Sequence, residues 1–399
     1  MKLEKEPLIR VGIMTAPDIE VVYKGGKVPC FELKNVTIGK QFHWQREESQ
    51  VFSGELELLR NFNGTLTAVN IVPLEEYLRS VISSEMSATS SPELLKAHSV
   101  ISRSWLIAQK YGDIRCEGLK DYASHSRIES ETQMVRWYDR EDHDGFDVCA
   151  DDHCQRYQGL TRIISDNVSQ SVEATRGEVL TFEKKVCDAR FSKCCGGVTE
   201  EFQSCWAPVR HGYLKAVSDI AEDRDILDMK NEKFVRLWIE SNPECFCNTS
   251  DKHLLGQILN SYDIEDLQFF RWKEIYEEEE LNALVARKSG IDFGHIIKIT
   301  PVKRGPSGRI TLLRIEGSKA IVDVGKELEI RRWLSPTHLK SSAFIIDRDD
   351  ERRWILTGAG WGHGVGLCQI GAAVMASKGY GYREILAHYF PGTLVEKLY

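Results

Sequence analysis

The chain has 399 residues, 42% of them hydrophobic and 28% charged, a globular composition that excludes a disordered or membrane-embedded protein. It contains no run of about 18 apolar residues, so no bilayer-spanning helix is expected, and a net charge of −8 argues against nucleic acid as a partner and for a neutral or weakly charged substrate. Eleven scattered cysteines, an odd number, do not form a compact disulfide framework and leave at least one free or bound to something other than cysteine.

The opening MKLEKEPLIRVGIMT is charged at its start and lacks an apolar core of signal-peptide length, so either an intracellular protein or a chain without its export segment is expected. Residues 8–72 read as antiparallel strands: LIRVGIMT, IEVVYKGG turning at Gly25-Gly26, GELELL, and TLTAVNIV after an Asn63-Gly64 turn. Helical periodicity then replaces alternation. Leu74, Leu78, Val81 and Ile82 keep the three-and-four spacing of one buried stripe, with Glu85 and Met86 next on it. SATSS breaks the pattern, Ser91 is placed to cap, Pro92 suits a first helical position, and Leu94, Leu95, Ile101 and Trp105 mark the buried face of a second helix. Glu85 therefore falls at a helix-to-helix corner, half out of water. Burial disfavours its charged form, which leaves two readings: a carboxyl of raised pKa able to serve as a general acid near neutral pH, or a structural carboxylate that caps the second helix or pairs with Arg103.

Residues 107–148 read as a long polar loop anchored at intervals. Its anchor is DHDGFDVCADDHCQRYQG, where His143, Cys149, His153 and Cys154 gather two imidazoles and two thiols, enough to close a tetrahedral structural zinc site. A Cys149–Cys154 disulfide, or unrelated cysteines and histidines, are the alternatives. Strand signals return in TRGEVLTF and VCDARFSKCCGGVTEEF. Gly196-Gly197 permits positive φ or close backbone approach, with Thr199 and Glu200 within reach of a ligand there, or else makes a tight hairpin corner. Cys187, Cys194, Cys195 and Cys205 read as a second metal or disulfide cluster or as small buried residues.

Residues 222–290 carry amphipathic helices in FVRLWIESN, HLLGQILNSY and ELNALVARKSG, the last opened by acids at Glu277–Glu280 that suit a helix start. They read as a helical insertion in a body made of residues 1–221 and 291–399. Strands resume at HIIKITPVKRG, RITLLRIEG and KAIVDVG. Near the C-terminus WILTGAGWGHGVGLCQIGAAVMA sets glycines at 358, 360, 362, 364 and 366 around Trp361 and His363, and helices follow over 372–378 and 382–389. The loop lacks the Lys-Ser/Thr of a phosphate-binding loop, and no G-x-S-x-G is present for an esterase. It either lies against a ligand or folds tightly for packing with His363 satisfied inside.

Three stretches, PLEEYL…EM…P-ELLKAHSVISRSW, the DGFDVCADDHCQRYQG block, and GWGHGVGLCQIGAAVMA with YREILAHYFPGT, resemble the stage II sporulation protein D family, also called the amidase-enhancer family. Cys368 stands where that family usually has serine, Ser87 where proline often follows Glu-Met, and 222–290 is longer than its counterpart. The resemblance implies an α+β fold, antiparallel β-segments packed with helices around a glycan-binding cleft. It also implies a lytic transglycosylase acting on peptidoglycan glycan strands, typically stripped of stem peptides. Glu85 would be its catalytic acid, and a structural zinc ion would be bound by His143, Cys149, His153 and Cys154. Trp361 or Tyr157 would face a sugar ring, Gln155, His363 and Gln369 would bond acetamido groups, and Gly196 and Gly197 would line the site. The implied compartment is the cell envelope or periplasm, against the cytoplasm suggested by the absent signal peptide. Two competing classes are a non-catalytic glycan binder that stimulates a cell-wall amidase, and a cytosolic zinc hydrolase, which four protein ligands would leave without an open metal position.

Overall fold

A computed structural model describes residues 2–25, 29–39, 45–87, 90–111, 127–137, 143, 145–151, 154–162, 165–221, 227–258 and 268–399. The fold is α+β. Strands Glu55–Arg60, Leu66–Pro73, Leu8–Ala16 and Val148–Cys149 lie side by side in that order, the first three antiparallel and the last joined in parallel through Val11↔Val148 and Gly12↔Cys149. The expected Asn63-Gly64 turn connects the first two, with Gly64 at φ 84°. A second antiparallel sheet, Val21–Lys24, Cys30–Ile38 and Arg46–Ser53, completes the N-terminal β-layer.

The layer feeds directly into α1 (Leu74–Glu85), and a short corner leads to α2 (Pro92–Tyr111). Ser91 Oγ accepts from the Leu94 N–H (3.4 Å), the cap that the sequence placed there. α2 is buried along most of its length because it serves two cores. Leu94, Ala97, Val100 and Ile101 join a cluster with the C-terminal residues Leu367, Ile370, Leu386 and Phe390, whereas Leu95, Trp105, Leu106 and Ile107 pack with α1 and the N-terminal sheets. α3 (Asp166–Ala174) adds Val168 and Val172 to the second of these.

A third core lies under the antiparallel strands Ile296–Arg304, Ile310–Gly317 and Ile321–Gly325, the last of which pairs in parallel with Gln133–Arg136, itself joined to Arg127–Glu129. Residues 222–290 hold the expected helices Glu232–Glu240, Lys252–Ile258 and Glu278–Ser289, but they are not wholly helical. Strand Arg271–Tyr276 pairs along its length with Trp354–Ala359, the strand that leads into the glycine-rich loop. Alternation of inward Trp272 and Tyr276 with outward Lys273 and Ile275 makes that stretch a strand, and it ties the segment to the body by a ladder of backbone bonds.

Candidate functional site

Glu85 is the last residue of α1, half-buried, and the Arg156 N–H donates to its Oε1 at 3.1 Å. The segment carrying Arg156 is laid along α1 by two backbone donors, since the Gln158 N–H also donates to Ser80 Oγ (3.0 Å). Tyr157 N–H in turn reaches the Ala150 carbonyl (3.0 Å). The corner is stiffened at the far end of the helix. Arg103 of α2 donates to both Glu75 oxygens (3.0 and 2.6 Å) and to the Glu178 carbonyl (2.9 Å), so the cation that one reading of the sequence paired with Glu85 is engaged by Glu75. Burial pushes the Glu75 carboxyl up, yet Arg103, Tyr399 and the Gly177 N–H outweigh it and hold the group below the usual carboxylate range.

His143, Cys149 and Cys154 converge with their ligand atoms within 4.8 Å of one another. The parallel pairing with Gly12 fixes Cys149, and a side chain at Gly12 is excluded because its Cβ would lie 2.6 Å from the Phe146 ring. Phe146 stacks on His143 (4.7 Å, 21°). His143 Nε2 stands 3.3 Å from Cys154 Sγ. An ion bound tetrahedrally at zinc distances would set such a nitrogen and sulfur about 3.6 Å apart, so the donors fit a single ion. The fourth expected ligand, His153, lies outside the described residues. Only Gln155 separates Cys154 from the residue whose N–H holds Glu85, so the thiol cluster and the carboxylate share one short segment. Tyr77 is fully buried beside this segment, and burial first, then Cys154, Cys149, Tyr157 and Glu85, push its phenol well above the ordinary range.

The remaining expected residues are placed differently. Tyr157 is 2% exposed, stacks on Tyr77 (5.1 Å, 20°) and donates to Asn70 Oδ1 (2.6 Å), so its ring belongs to the core instead of facing a sugar. Gln155 is buried as well, with Tyr77 and Ser102 as partners. Gly196 and Gly197 take φ of 81° and 107°, and added Cβ atoms would strike Gly360 N (2.9 Å) and the Trp238 ring (2.6 Å). They are a tight corner packed by protein atoms. Glu200 is likewise internal, accepting from Ser307 Oγ (2.5 Å) and Ser204 Oγ (2.8 Å). Trp361 is partly exposed, lies on Phe269 (5.3 Å, 20°) and is bridged to Cys194 through both backbones. His363 accepts at Nδ1 from the Val365 N–H (3.0 Å), and burial with Arg190 and Arg309 nearby keeps its imidazole well below the usual range, hence neutral. Gln369 is buried, with Nε2 3.1 Å from His98 Nε2.

The expected residues thus form two groups, one around Glu85 and one around the glycine-rich loop, and α2 connects them. Its His98, fully buried and pushed down to about 3 by burial and then Lys193, bonds Ser102 on its own helix and Gln369 across the gap. Nothing singled out His98 in the sequence. The run SVISRSWLIA that follows it, with Arg103 as its one charged residue, is the sign that this helix is buried on most sides and that a histidine on it must find internal partners.

A profile described as "Stage II sporulation protein" matches residues 62–182, the stretch that holds α1, the Glu85 corner and the thiol cluster. Sequence comparison agrees over a longer span: the chain is 26% identical over 325 residues to "Stage II sporulation protein D" of Bacillus amyloliquefaciens, covering 82% of this chain and 74% of that protein. The stretch 62–182 thus resembles the stage II sporulation protein D and amidase-enhancer family. An uncharacterized protein of Brachyspira hyodysenteriae is 27% identical over 331 residues, covering 83% of this chain and 68% of that one. "Amidase enhancer" of Bacillus subtilis is 24% identical over 335 residues, covering 79% of this chain but 40% of that protein. A second profile, a domain of unknown function (DUF8618), matches residues 200–366, across both borders of the expected insertion. Among the described residues no helix is long and apolar enough to cross a membrane.

Proposed function

We propose that this protein has a cell-wall role as a lytic transglycosylase, cleaving peptidoglycan glycan strands, in denuded form, to 1,6-anhydromuramyl ends. The observation that carries the reading is the placement of Glu85: a half-buried carboxylate at the end of α1 that accepts the Arg156 N–H, inside the stretch that matches the family. Hydrolytic glycosidases normally use two carboxyl groups, but lytic cleavage draws its nucleophile from the substrate. Glu85 protonates the bridging oxygen as the bond to the muramyl C1 breaks. The resulting carboxylate then accepts the C6 hydroxyl proton as that oxygen closes on C1, which returns Glu85 to its starting form. One residue suffices because the leaving alcohol and the entering hydroxyl are served in turn.

His143, Cys149 and Cys154, with His153 as fourth ligand, would hold zinc; the ion would supply a cross-link in the segment that ends at Arg156. Trp361 is the partly exposed ring that suits stacking on a sugar. Since the chemistry acts on the wall, the cell envelope is the proposed compartment. A second reading, a glycan binder that stimulates an amidase without cutting, is favoured by the name of the Bacillus subtilis relative. Mass spectrometry of denuded strands after incubation separates the two: anhydromuramyl ends support cleavage, while intact strands together with a faster amidase support the modifier.

A further inference from the structure

The glycine-rich loop lies between two cysteines that meet a third and an aspartate. Cys195, Asp219, Cys247 and Cys368 come from four separate chain segments, are 3%, 0%, 1% and 0% exposed, and bring their ligand atoms within 4.8 Å of one another. We propose that these four residues form a second, closed metal site, distinct from the one near Glu85, that holds a single zinc ion through three sulfurs and one carboxylate oxygen.

The distances select one ion over the alternatives. Cys195 Sγ and Cys247 Sγ are 3.6 Å apart. A disulfide requires about 2.05 Å, whereas two sulfurs on one tetrahedral zinc ion stand about 3.8 Å apart. An iron–sulfur cluster would spread its cysteinyl sulfurs around several metal ions and could not fit within the same radius. Three thiolates and a hard oxygen are a donor set that borderline-soft, tetrahedral zinc accepts.

The surroundings are those of bound thiolates. Cys368 Sγ accepts the N–H of Cys195 (3.2 Å) and of Gly371 (3.4 Å), the latter at the start of helix Gln369–Ser377, and Cys195 Sγ accepts the Gly197 N–H (3.4 Å). Asp219 is oriented from both sides, its Oδ1 accepting from Tyr389 Oη (2.6 Å) and its Oδ2 from the Cys247 N–H (2.8 Å). Each oxygen keeps a lone pair for a metal. Such outer partners are what fix first ligands in metal sites. Asp219 is fully buried, and a dication bound beside it would balance its charge. Excess negative charge is offset at one remove by Arg271, which donates to the Gly196 carbonyl (3.1 Å), and Arg309, which donates to that of Cys195 (3.2 Å). With all four positions taken by protein the ion is structural. It would tie the Cys194–Gly197 corner, the Asp219 loop and the Cys247 turn to the helix that follows the glycine-rich loop, and so hold both ends of that loop.

The test is anomalous diffraction above and below the zinc edge on crystals of the full chain saturated with zinc. A peak within about 2.3 Å of the sulfurs of Cys195, Cys247 and Cys368 is expected. A Cys195–Cys247 disulfide, iron in place of zinc, or no peak at that position would overturn the proposal. In solution Cys247→Ser should lose one equivalent of zinc that Cys149→Ser retains, and full zinc content in Cys247→Ser would also overturn it. The diffraction result needs no variant, so a misfolded Cys247→Ser does not decide the matter.

Discussion

Replacing Arg103 with methionine tests whether the α1–α2 corner is built around the Glu75 pair. Both side chains are buried, 0% and 3% exposed, and the guanidinium grips the carboxylate at 3.0 and 2.6 Å. Removing one partner of such a pair leaves a buried charge and costs about 3–5 kcal/mol. Tyr399 Oη and the Gly177 N–H still donate to Glu75 in the variant, which places the loss near the lower figure. The pH dependence supplies a second readout. In the wild type the folded pKa of Glu75 is lowered from 4.5, so its contribution is complete above that value and is lost as pH falls through the folded pKa. Without Arg103 burial dominates, the folded pKa rises, and the variant loses stability as pH climbs through and above 4.5. The gap between the two proteins should therefore be widest at neutral pH and shrink on acidification. Urea unfolding followed by tryptophan fluorescence at pH 7 and pH 4 measures it. A loss below about 1 kcal/mol at pH 7, or a Glu75→Gln/Arg103→Met double variant that costs the sum of the single changes, would show that the corner does not depend on this pair.

Further consequences are local. Cys149→Ser should lose about one equivalent of zinc and lower the unfolding temperature, measured by metal analysis and calorimetry, because the thiolate is one of the donors that close the site. Tyr157→Phe removes a core hydrogen bond to Asn70 and should cost about 1–3 kcal/mol in urea unfolding; glycan binding by calorimetry should be unchanged, since the ring is 2% exposed. Gly371→Ala would set a Cβ 2.2 Å from Tyr389 Oη and 2.6 Å from Asp219 Oδ1, so a destabilisation of about 1–3 kcal/mol is expected in the same assay.

What could be read from the sequence was what local pattern encodes. The stripe Leu74, Leu78, Val81, Ile82 and the Ser91-Pro92 start gave both helices and the Glu85 corner, because periodicity and capping act within a few residues. His143, Cys149 and Cys154 gather as expected because a dozen residues suffice to bring them together. Pairings across long separations had no such signal. Arg103 could equally have met Glu75 or Glu85, both on the preceding helix, and only the docking of α1 on α2 decides between them. Tyr157 read as a sugar platform because an aromatic beside a ligand cluster looks the same whether it faces solvent or Asn70. Strand Arg271–Tyr276 reads as part of a helical segment because its partner, Trp354–Ala359, lies far along the chain. Cys195 reads with its near neighbours Cys187, Cys194 and Cys205, whereas the residues its thiol meets across the fold, Asp219, Cys247 and Cys368, come from other segments.

Glu85 carries the proposed cleavage, and comparing wild type with Glu85→Gln on denuded glycan strands, with 1,6-anhydromuramyl ends counted by mass spectrometry, tests that role. Glutamine keeps the size and can still accept the Arg156 N–H, but it has no carboxyl proton to give. Formation of anhydro ends should fall at least about a hundredfold, with strand binding and unfolding temperature little changed. Cleavage that survives in Glu85→Gln would place the acid elsewhere, and a variant that unfolds would mean that Glu85 is a structural carboxylate of the corner.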